Sequence, residues 1–396
     1  MGILRFDFKF PKEVIMHRVR IGVIGTGGMG TGHCNTMEDI EEVELTAVCD
    51  IDEEAYKPLV EKYSVQGFRD YRDLVDSGLV DAAIVATPHY DHPPISIYAM
   101  RKGLHVLSEK PMAVTVKAAE EMARTAEETG VKFAVMYQSR SLPVYQAARR
   151  LVEKGKLGEI YRTCFVDPHF RTQAYYNSAG WRATWRGEGG GVIINQAPHG
   201  IDLFMWLGGL PSWVTAWIRT RLHDIEVEDE VHALLDYPNG ARGYYYTSTV
   251  EHPSGSYMEL CGDKGKLVVR DGKLYFWELE VPVSEFAKTS DQMWASPEAE
   301  QIEVPLEERE TGHKAIIRNF ARSILYGEPL ISPGEEGVWS VEFLNAVILS
   351  GAKGKPVEIP IDRGEYEAFL EEKRRTSREK QVEQTLRITD PRHVRR

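Results

Sequence analysis

Short apolar runs alternate with amphipathic stretches through the first third of the chain. Val-Arg-Ile-Gly-Val-Ile-Gly at 19–25 is a β-branched run of the kind that forms a buried parallel strand. A glycine-rich turn follows, and then a helix-compatible stretch to about residue 40. VELTAVCD (43–50), VDAAIVATP (80–88), LHVLSEKP (104–111) and KFAVMYQ (132–138) predict four more strands. Glu53–Tyr63, Ile95–Lys102 and Thr115–Thr129 read as helices between them. Strand alternating with helix predicts a parallel doubly wound sheet.

After residue 138 the pattern changes. A helix over Pro143–Glu153 comes first, then the strand-like runs IYRTCFV, WVTAWIRTRL, VHALLDY, GARGYYYTSTV, YMELCGDKGKLVVR and KLYFWELEV. Pro-Asn-Gly at 238–240 and Asp-Gly at 271–272 are hairpin signals, so these runs predict an antiparallel sheet. Helices return at Gly312–Tyr326 and Pro333–Ser350. The expected fold class is therefore α/β. Residues 1–18 are an N-terminal arm, 19–138 a dinucleotide-binding domain, and 139–364 a second α/β domain with a large, mainly antiparallel sheet. Residues 365–396 are a charged tail, either a peripheral helix or a frayed end. Because the first strand opens only at Val19, Met16 is an alternative start.

Composition narrows the partners. Apolar residues make up 42% of the 396 positions and charged residues 27%, the balance of a folded soluble chain of two domains. The net charge of −12, with Lys and Arg scattered, argues against nucleic acid and anionic membranes. Small neutral substrates are compatible with it. No apolar run approaches the roughly 20 residues that span a bilayer. The first residues are interrupted by charge and lack a signal-peptide apolar region, so the expected compartment is the cytoplasm. Cys34, Cys49, Cys164 and Cys261 lie far apart, without the spacing of a disulfide framework or a thiolate metal site. No metal is expected; His89 and His92 have a ligand-like spacing but no third partner.

The first chemistry is in the turn after the first strand. Gly25-Thr26-Gly27-Gly28-Met29-Gly30 satisfies G-x-G-x-x-G between a strand and a helix. Gly25 permits the tight turn, Gly27 lets backbone approach a pyrophosphate, and Gly30 lets the helix pack on the sheet. The helix N-terminus offers N–H groups and a positive dipole end to phosphate. Asp50 closes the second strand 20 residues beyond Gly30, where a carboxylate accepts from ribose hydroxyls. A 2′-phosphate there would meet like charge, and Asp50-Ile51-Asp52-Glu53-Glu54 offers no base to neutralise it. The reading is a Rossmann domain that takes NAD in preference to NADP.

Two more stretches go beyond a fold: Glu109-Lys110-Pro111 at the end of the fourth strand, and GGGVIINQAPHGID from Gly189 to Asp202. With GTGGMG and Thr87-Pro88, the chain resembles the glucose–fructose oxidoreductase / inositol 2-dehydrogenase / MocA family over nearly its whole length after Val19. The resemblance implies a Rossmann domain followed by an α/β domain built on a large sheet. It also implies hydride exchange between NAD(P) and a secondary hydroxyl of a sugar or cyclitol, and dimers or tetramers formed through the sheet. It places Thr87, Pro88, His92, Glu109 and Lys110 beside the cofactor with Gly25–Gly30, Asp50 and Ile51.

Lys110 falls at the carboxyl ends of the strands, where open α/β sheets bind ligands. Beside a positive nicotinamide ring its pKa would fall toward the range of a general acid or base. A lone Lys there would ordinarily be a solvated surface group; the resemblance assigns it the chemistry. In the family's second motif an Asp and a His, four residues apart, complete the site, and here they correspond to Asn195 and His199. A neutral imidazole can relay a proton, whereas an amide only orients its neighbours by hydrogen bonds. Some members that act on nucleotide sugars resemble this chain in having Asn there. Pro198 predicts a kink or helix start between the two.

Before that motif, HFRTQAYYNSAGWRATWRGEGGG carries five aromatics and three arginines. Aromatic faces stack on sugar rings and Arg and Gln donors reach hydroxyls, which makes Arg171, Trp181, Trp185 and Gln196 candidate substrate contacts alongside Lys110, Asn195 and His199. Such a cluster serves equally as core. Its form resembles the subgroup of dehydrogenases that oxidise the C3 hydroxyl of anhydrosugars and glycosides. Three functions are open: an NAD-dependent dehydrogenase, a redox-neutral glycosidase or lyase that retains its NAD, and a non-catalytic NAD-binding regulator.

Overall fold

A computed structural model describes residues 18–378 and residue 380. The arm at 1–17 and most of the charged tail therefore lie outside the described residues. The first sheet holds β1 (Val19–Ile24), β2 (Val43–Cys49), β3 (Gln66–Phe68), β4 (Ala82–Val85), β5 (His105–Ser108) and β6 (Phe133–Val135). All pair in parallel in the order β3-β2-β1-β4-β5-β6, which reverses direction outward from β1 and so opens a crevice between β1 and β4. Five helices cross between the strands: α1 (Gly28–Met37), α2 (Glu53–Tyr63), α3 (Tyr71–Asp76), α4 (His92–Arg101) and α5 (Val116–Thr129). β3 and α3 are too short for a periodicity to be read from sequence. α4 starts three residues earlier than its apolar pattern, because Pro93 and Pro94 suit a first turn whose N–H groups need no helical partner.

Three of the five crossover helices are capped by side chains at their starts. Asp52, Asp70 and Thr115 accept from backbone N–H groups at the starts of α2, α3 and α5. Gly130 ends α5 in a left-handed conformation.

The second half opens with α6 (Pro143–Glu153), β7 (Ile160–Val166), α7 (Gln173–Asn177), α8 (Val192–Asn195) and α9 (Pro198–Gly208), with Pro198 in the first turn of α9. It continues through β8 (Trp213–Arg219), β9 (Glu230–Asp236), β10 (Arg242–Ser248), β11 (Tyr257–Gly262), β12 (Gly265–Arg270), β13 (Lys273–Leu279), α10 (Val283–Thr289) and β14 (Ala299–Ile302). α11 (Gly312–Tyr326), α12 (Gly334–Lys353), β15 (Val357–Glu358) and α13 (Arg363–Thr376) complete it.

Nine of these strands form one sheet, β14-β13-β12-β11-β7-β10-β9-β8-β15, antiparallel except for the β7–β10 pair. The turns at 238–240 and 271–272 lie between β9 and β10 and between β12 and β13. One face buries Val214, Ala216, Ala233, Leu235 and Tyr245 against α9 and α12. The other leaves Trp213, Trp217 and Leu234 exposed.

Two helices from late in the chain return to the first sheet. Ile316, Ile317 and Phe320 of α11 share a core with Ile21, Val23 and Leu107, and α12 packs on α5 as well as β8. The start of the charged tail is helix α13, which buries Tyr366 and Leu370. Among the described residues no helix is long and apolar enough to cross a membrane.

Candidate active site

The glycine loop leaves β1 with Gly25 at φ +91°, where a Cβ would stand 2.6 Å from the Ala86 carbonyl oxygen. A Cβ on Gly30 would lie 1.8 Å from the Gly25 oxygen, so this glycine sets how closely α1 approaches the sheet. At Gly27 and Gly28 a Cβ would meet nothing within 4 Å: the outer side of the loop is open, as a cradle for a pyrophosphate must be. Met29 projects outward from the same turn, 47% exposed. Asp50 accepts from the Thr26 amide at 2.8 Å and from Thr26 Oγ1 at 3.2 Å through one oxygen, and from the Asp52 amide through the other. A carboxylate has about four acceptor positions, so capacity remains for ribose hydroxyls. Ile51, 83% exposed, stands next to it.

The loops after β4 and β5 meet beside the crevice. His92 is buried, with one ring nitrogen 2.8 Å from the Thr87 oxygen and the other 2.9 Å from the Pro111 oxygen, so it ties Thr87-Pro88 to Glu109-Lys110-Pro111. Thr87 Oγ1 is buried without a partner, a polar atom left for a ligand. Glu109 is buried on the far side. Burial pushes its carboxyl up, but the 2.7 Å contact with His33 and the charges of His33, Lys110 and His313 outweigh that and hold it at about 2. His33 and His313 have no motif that marks them. They reach Glu109 only because α1 and α11 pack side by side.

Lys110 reaches across to the second motif and donates from Nζ to the Asn195 carbonyl oxygen at 2.9 Å. Burial depresses its pKa, and the charges of Arg182 and Arg171 add to that against the opposing pull of Glu109 and Glu188. Asn195 ends the short α8, and its Nδ2 donates to Glu188, whose other oxygen accepts from the Ala183 amide. Glu188 is 1% exposed. Burial raises its carboxyl to about 7 in spite of these hydrogen bonds and the charge of Arg182. Nothing in the GEGGG run marks this glutamate, because its significance is its burial beside Asn195.

His199, in the first turn of α9, has Nε2 3.3 Å from Gln138 Nε2 and a buried Nδ1 without a partner. Burial, followed by the charge of Lys110, lowers it to about 3, so the ring is neutral at physiological pH. Asp202, one turn on, faces away and is locked in a buried ion pair with Arg140 at 2.7 Å.

The aromatic segment divides. Tyr175, on α7, receives hydrogen bonds from Gln196 Nε2 at 2.9 Å and from Arg182. Arg182 lies over the rings of Tyr175 and Trp181, and Trp181 meets His89 edge-on at 5.9 Å. Arg171 lies 5.3 Å from the Tyr175 ring. The charges of both arginines act on Lys110. Trp185 is placed differently: it is 8% exposed, its indole N–H donates to the Glu226 carbonyl at 3.0 Å, and Phe369 of α13 packs against it. Its ring therefore belongs to the core cluster. Among the described residues no group of His, Cys, Asp and Glu could hold a metal.

Known proteins match this arrangement. The model of an oxidoreductase family with an NAD-binding Rossmann fold matches residues 19–137, and that of the Gfo/Idh/MocA C-terminal domain matches 145–268. Glucose-6-phosphate 3-dehydrogenase of Bacillus subtilis is 28% identical over 55% of this chain and 61% of its own length. 1,5-Anhydro-D-fructose reductase of Ensifer adhaerens is 26% identical over 72% of this chain and 82% of its own. The WlbA dehydrogenase of Chromobacterium violaceum, solved with NADH and UDP-GlcNAcA, superposes with a TM-score of 0.76 at 29% identity, over 90% of this chain and 99% of that one. A glycine cradle under a Rossmann crevice, closed by a second domain on a nine-stranded sheet, and two matching domain models lead to one assignment: the chain belongs to the Gfo/Idh/MocA family of NAD-binding oxidoreductases.

Proposed function

We propose that the protein is an NAD-dependent dehydrogenase acting on a secondary hydroxyl of a sugar, glycoside, anhydrosugar or cyclitol, with C3 of a pyranose as one candidate position. The observation that carries this reading is Lys110. Its amine is depressed by burial and hydrogen-bonded to the backbone of the second motif, and it stands at the carboxyl end of β5. When bound, the nicotinamide supplies the hydride acceptor. Gly25–Gly30 would hold its pyrophosphate, Asp50 its adenosine ribose, and Thr87, Pro88 and Glu109 would border the nicotinamide half. The carboxylate of Asp50 disfavours a 2′-phosphate, so NAD is the preferred cofactor.

A neutral Lys110 takes the proton of the reacting hydroxyl as its carbon gives up hydride, and returns it in the reverse direction. Release of the Asn195 carbonyl frees Nζ to do so. His199, neutral and with an unpartnered Nδ1, hands protons on or orients the hydroxyl. Asn195 positions this group through the contact of its amide with Glu188. Gln196, Arg171 and Trp181 border the sugar. Two or four copies pair through the open sheet face that carries Trp213, Trp217 and Leu234. The protein works in the cytoplasm.

The experiment is a screen of polyols and glycosides with purified protein and NAD, read as accumulation of NADH. Net reduction by a cyclic polyol supports the dehydrogenase. Consumption of a glycoside without net NADH would replace it with redox-neutral elimination or hydrolysis on a retained cofactor.

A further inference from the structure

The wall of the site is positively charged although the chain as a whole carries −12. Arg171 and Arg182 lie against Tyr175 with guanidinium carbons 5.3 and 4.3 Å from its ring centre, and Arg182 is also 4.6 Å from the Trp181 ring. Neither is neutralised in the usual way. Among the described residues Arg171 has no ion pair, and its guanidinium hydrogen bond goes to the neighbouring Phe170 carbonyl. The partner of Arg182 is Glu188, 4.0 Å away, whose oxygens already accept from Asn195 and Ala183. Arg182 Nε is buried with nothing to donate to, and a buried donor left unmade is destabilising until an acceptor meets it. Gln196 Oε1 next to it is likewise unpartnered.

These charges are felt where the chemistry takes place, because both guanidinium groups lower the pKa of Lys110. Lys380, with Nζ on the Tyr176 carbonyl, adds a third cation close to Arg182, under the counter-pull of Glu188, Asp224 and Glu226. Oxidised nicotinamide would add another positive charge beside Lys110. A neutral sugar leaves this concentration of like charge in place. An anion on the sugar removes it and gives Arg182 Nε the acceptor it lacks, and Arg binds carboxylate and phosphate through paired N–H groups.

We propose that the ring substrate of this site carries an anionic group, a carboxylate or a phosphate, that docks on Arg171 and Arg182 beside Tyr175. This inference rests on the dehydrogenase reading above. It separates this site from one built for neutral cyclitols, in which Arg donors would serve hydroxyls alone.

The test is calorimetric titration of the NAD-loaded full chain with D-glucuronate, D-glucose 6-phosphate and methyl α-D-glucopyranoside. At least one anionic sugar should bind about tenfold or more tightly than the neutral glycoside, about 1.4 kcal/mol, with an advantage that shrinks as salt is raised. Which of the two binds identifies the anion. Arg171→Met and Arg182→Met, which keep an apolar stem, should each weaken the anionic sugar about tenfold or more. NAD affinity within a few fold of the parent certifies the fold of each variant. Equal binding of all three sugars, failure of both anions to bind, or full anion affinity in both variants overturns the proposal. Anion binding without NADH formation from any of the three supports the docking site and counts against the dehydrogenase reading. NADH formation from the neutral glycoside, with no preference for charge, does the reverse.

Discussion

Replacing Glu188 by Gln removes the carboxyl that accepts from the Asn195 side-chain amide, and its effect on stability depends on pH. In the folded protein the Glu188 carboxyl is held at about 7, first by burial, against an ordinary value of 4.5. At about 1.4 kcal/mol per unit of pH, ionising it in place disfavours the fold by about 3 kcal/mol. The sign follows from proton binding. Below pH 4.5 both states are protonated and there is no penalty. Between 4.5 and 7 the unfolded chain loses the proton while the folded one keeps it, so stability falls as pH rises. Above 7 the full penalty applies.

Gln cannot ionise, so Glu188→Gln lacks this slope. It has a single acceptor oxygen and therefore loses either the Ala183 or the Asn195 hydrogen bond, an offset of about 1 kcal/mol at every pH. Glu228, also raised to about 7, first by burial, contributes its own slope to both proteins, less in the variant because the Glu188 charge adds to its shift. Thermal unfolding of the cofactor-free protein and the variant at pH 5 and pH 8 isolates the difference. About 0.8 kcal/mol of the penalty is already present at pH 5, so with an unfolding entropy of about 2 cal/mol/K per residue the variant should gain about 3 °C on the parent between the two pH values. A difference in melting temperature that is the same at both would refute a proton held on Glu188.

Further outcomes follow from the same geometry. Lys110→Ala should lower turnover by about 10² or more while NAD affinity stays within a few fold, and a variant with near-parent turnover would remove Lys110 from the chemistry. NAD should bind at least about tenfold tighter than NADP by calorimetry, because Asp50 would face a 2′-phosphate; equal binding would show that this carboxylate does not select. Trp181→Ala should mainly raise the KM for a sugar, whereas Trp185→Ala should mainly lower stability, by about 3–5 kcal/mol, since its ring packs against Phe369 in the core. A folded Trp185→Ala of parent stability with a raised KM would return that ring to the substrate wall.

Much of the fold was legible in the sequence because it rests on local periodicity. The β-branched runs at 19–25, 43–50, 80–88 and 104–111 all contain strands of the first sheet, and the two turns at 238–240 and 271–272 connect neighbouring strands of the second. Pro198 opens α9 as its missing N–H requires. The glycine loop was readable because Gly25 and Gly30 stand where any Cβ would collide with backbone, so their residue type is dictated by local geometry. Lys110, Asn195 and His199 were legible only through motifs, since a single Lys, Asn or His carries no local signature of chemistry.

Tertiary structure alone decided the rest. Glu188 became a carboxyl held near neutrality because the fold buries it, and burial is a property of the whole fold. Trp181 and Trp185 are four residues apart in the same aromatic segment, yet one meets His89 and Arg182 and the other packs under α13, a helix nearly two hundred residues later. His33 and His313 meet at Glu109 only because α11 returns to the first sheet. Sequence pattern reports which way a side chain points relative to its own strand or helix. It does not report what arrives from the far end of the chain to cover that side chain, and desolvation and long-range contact set its chemistry.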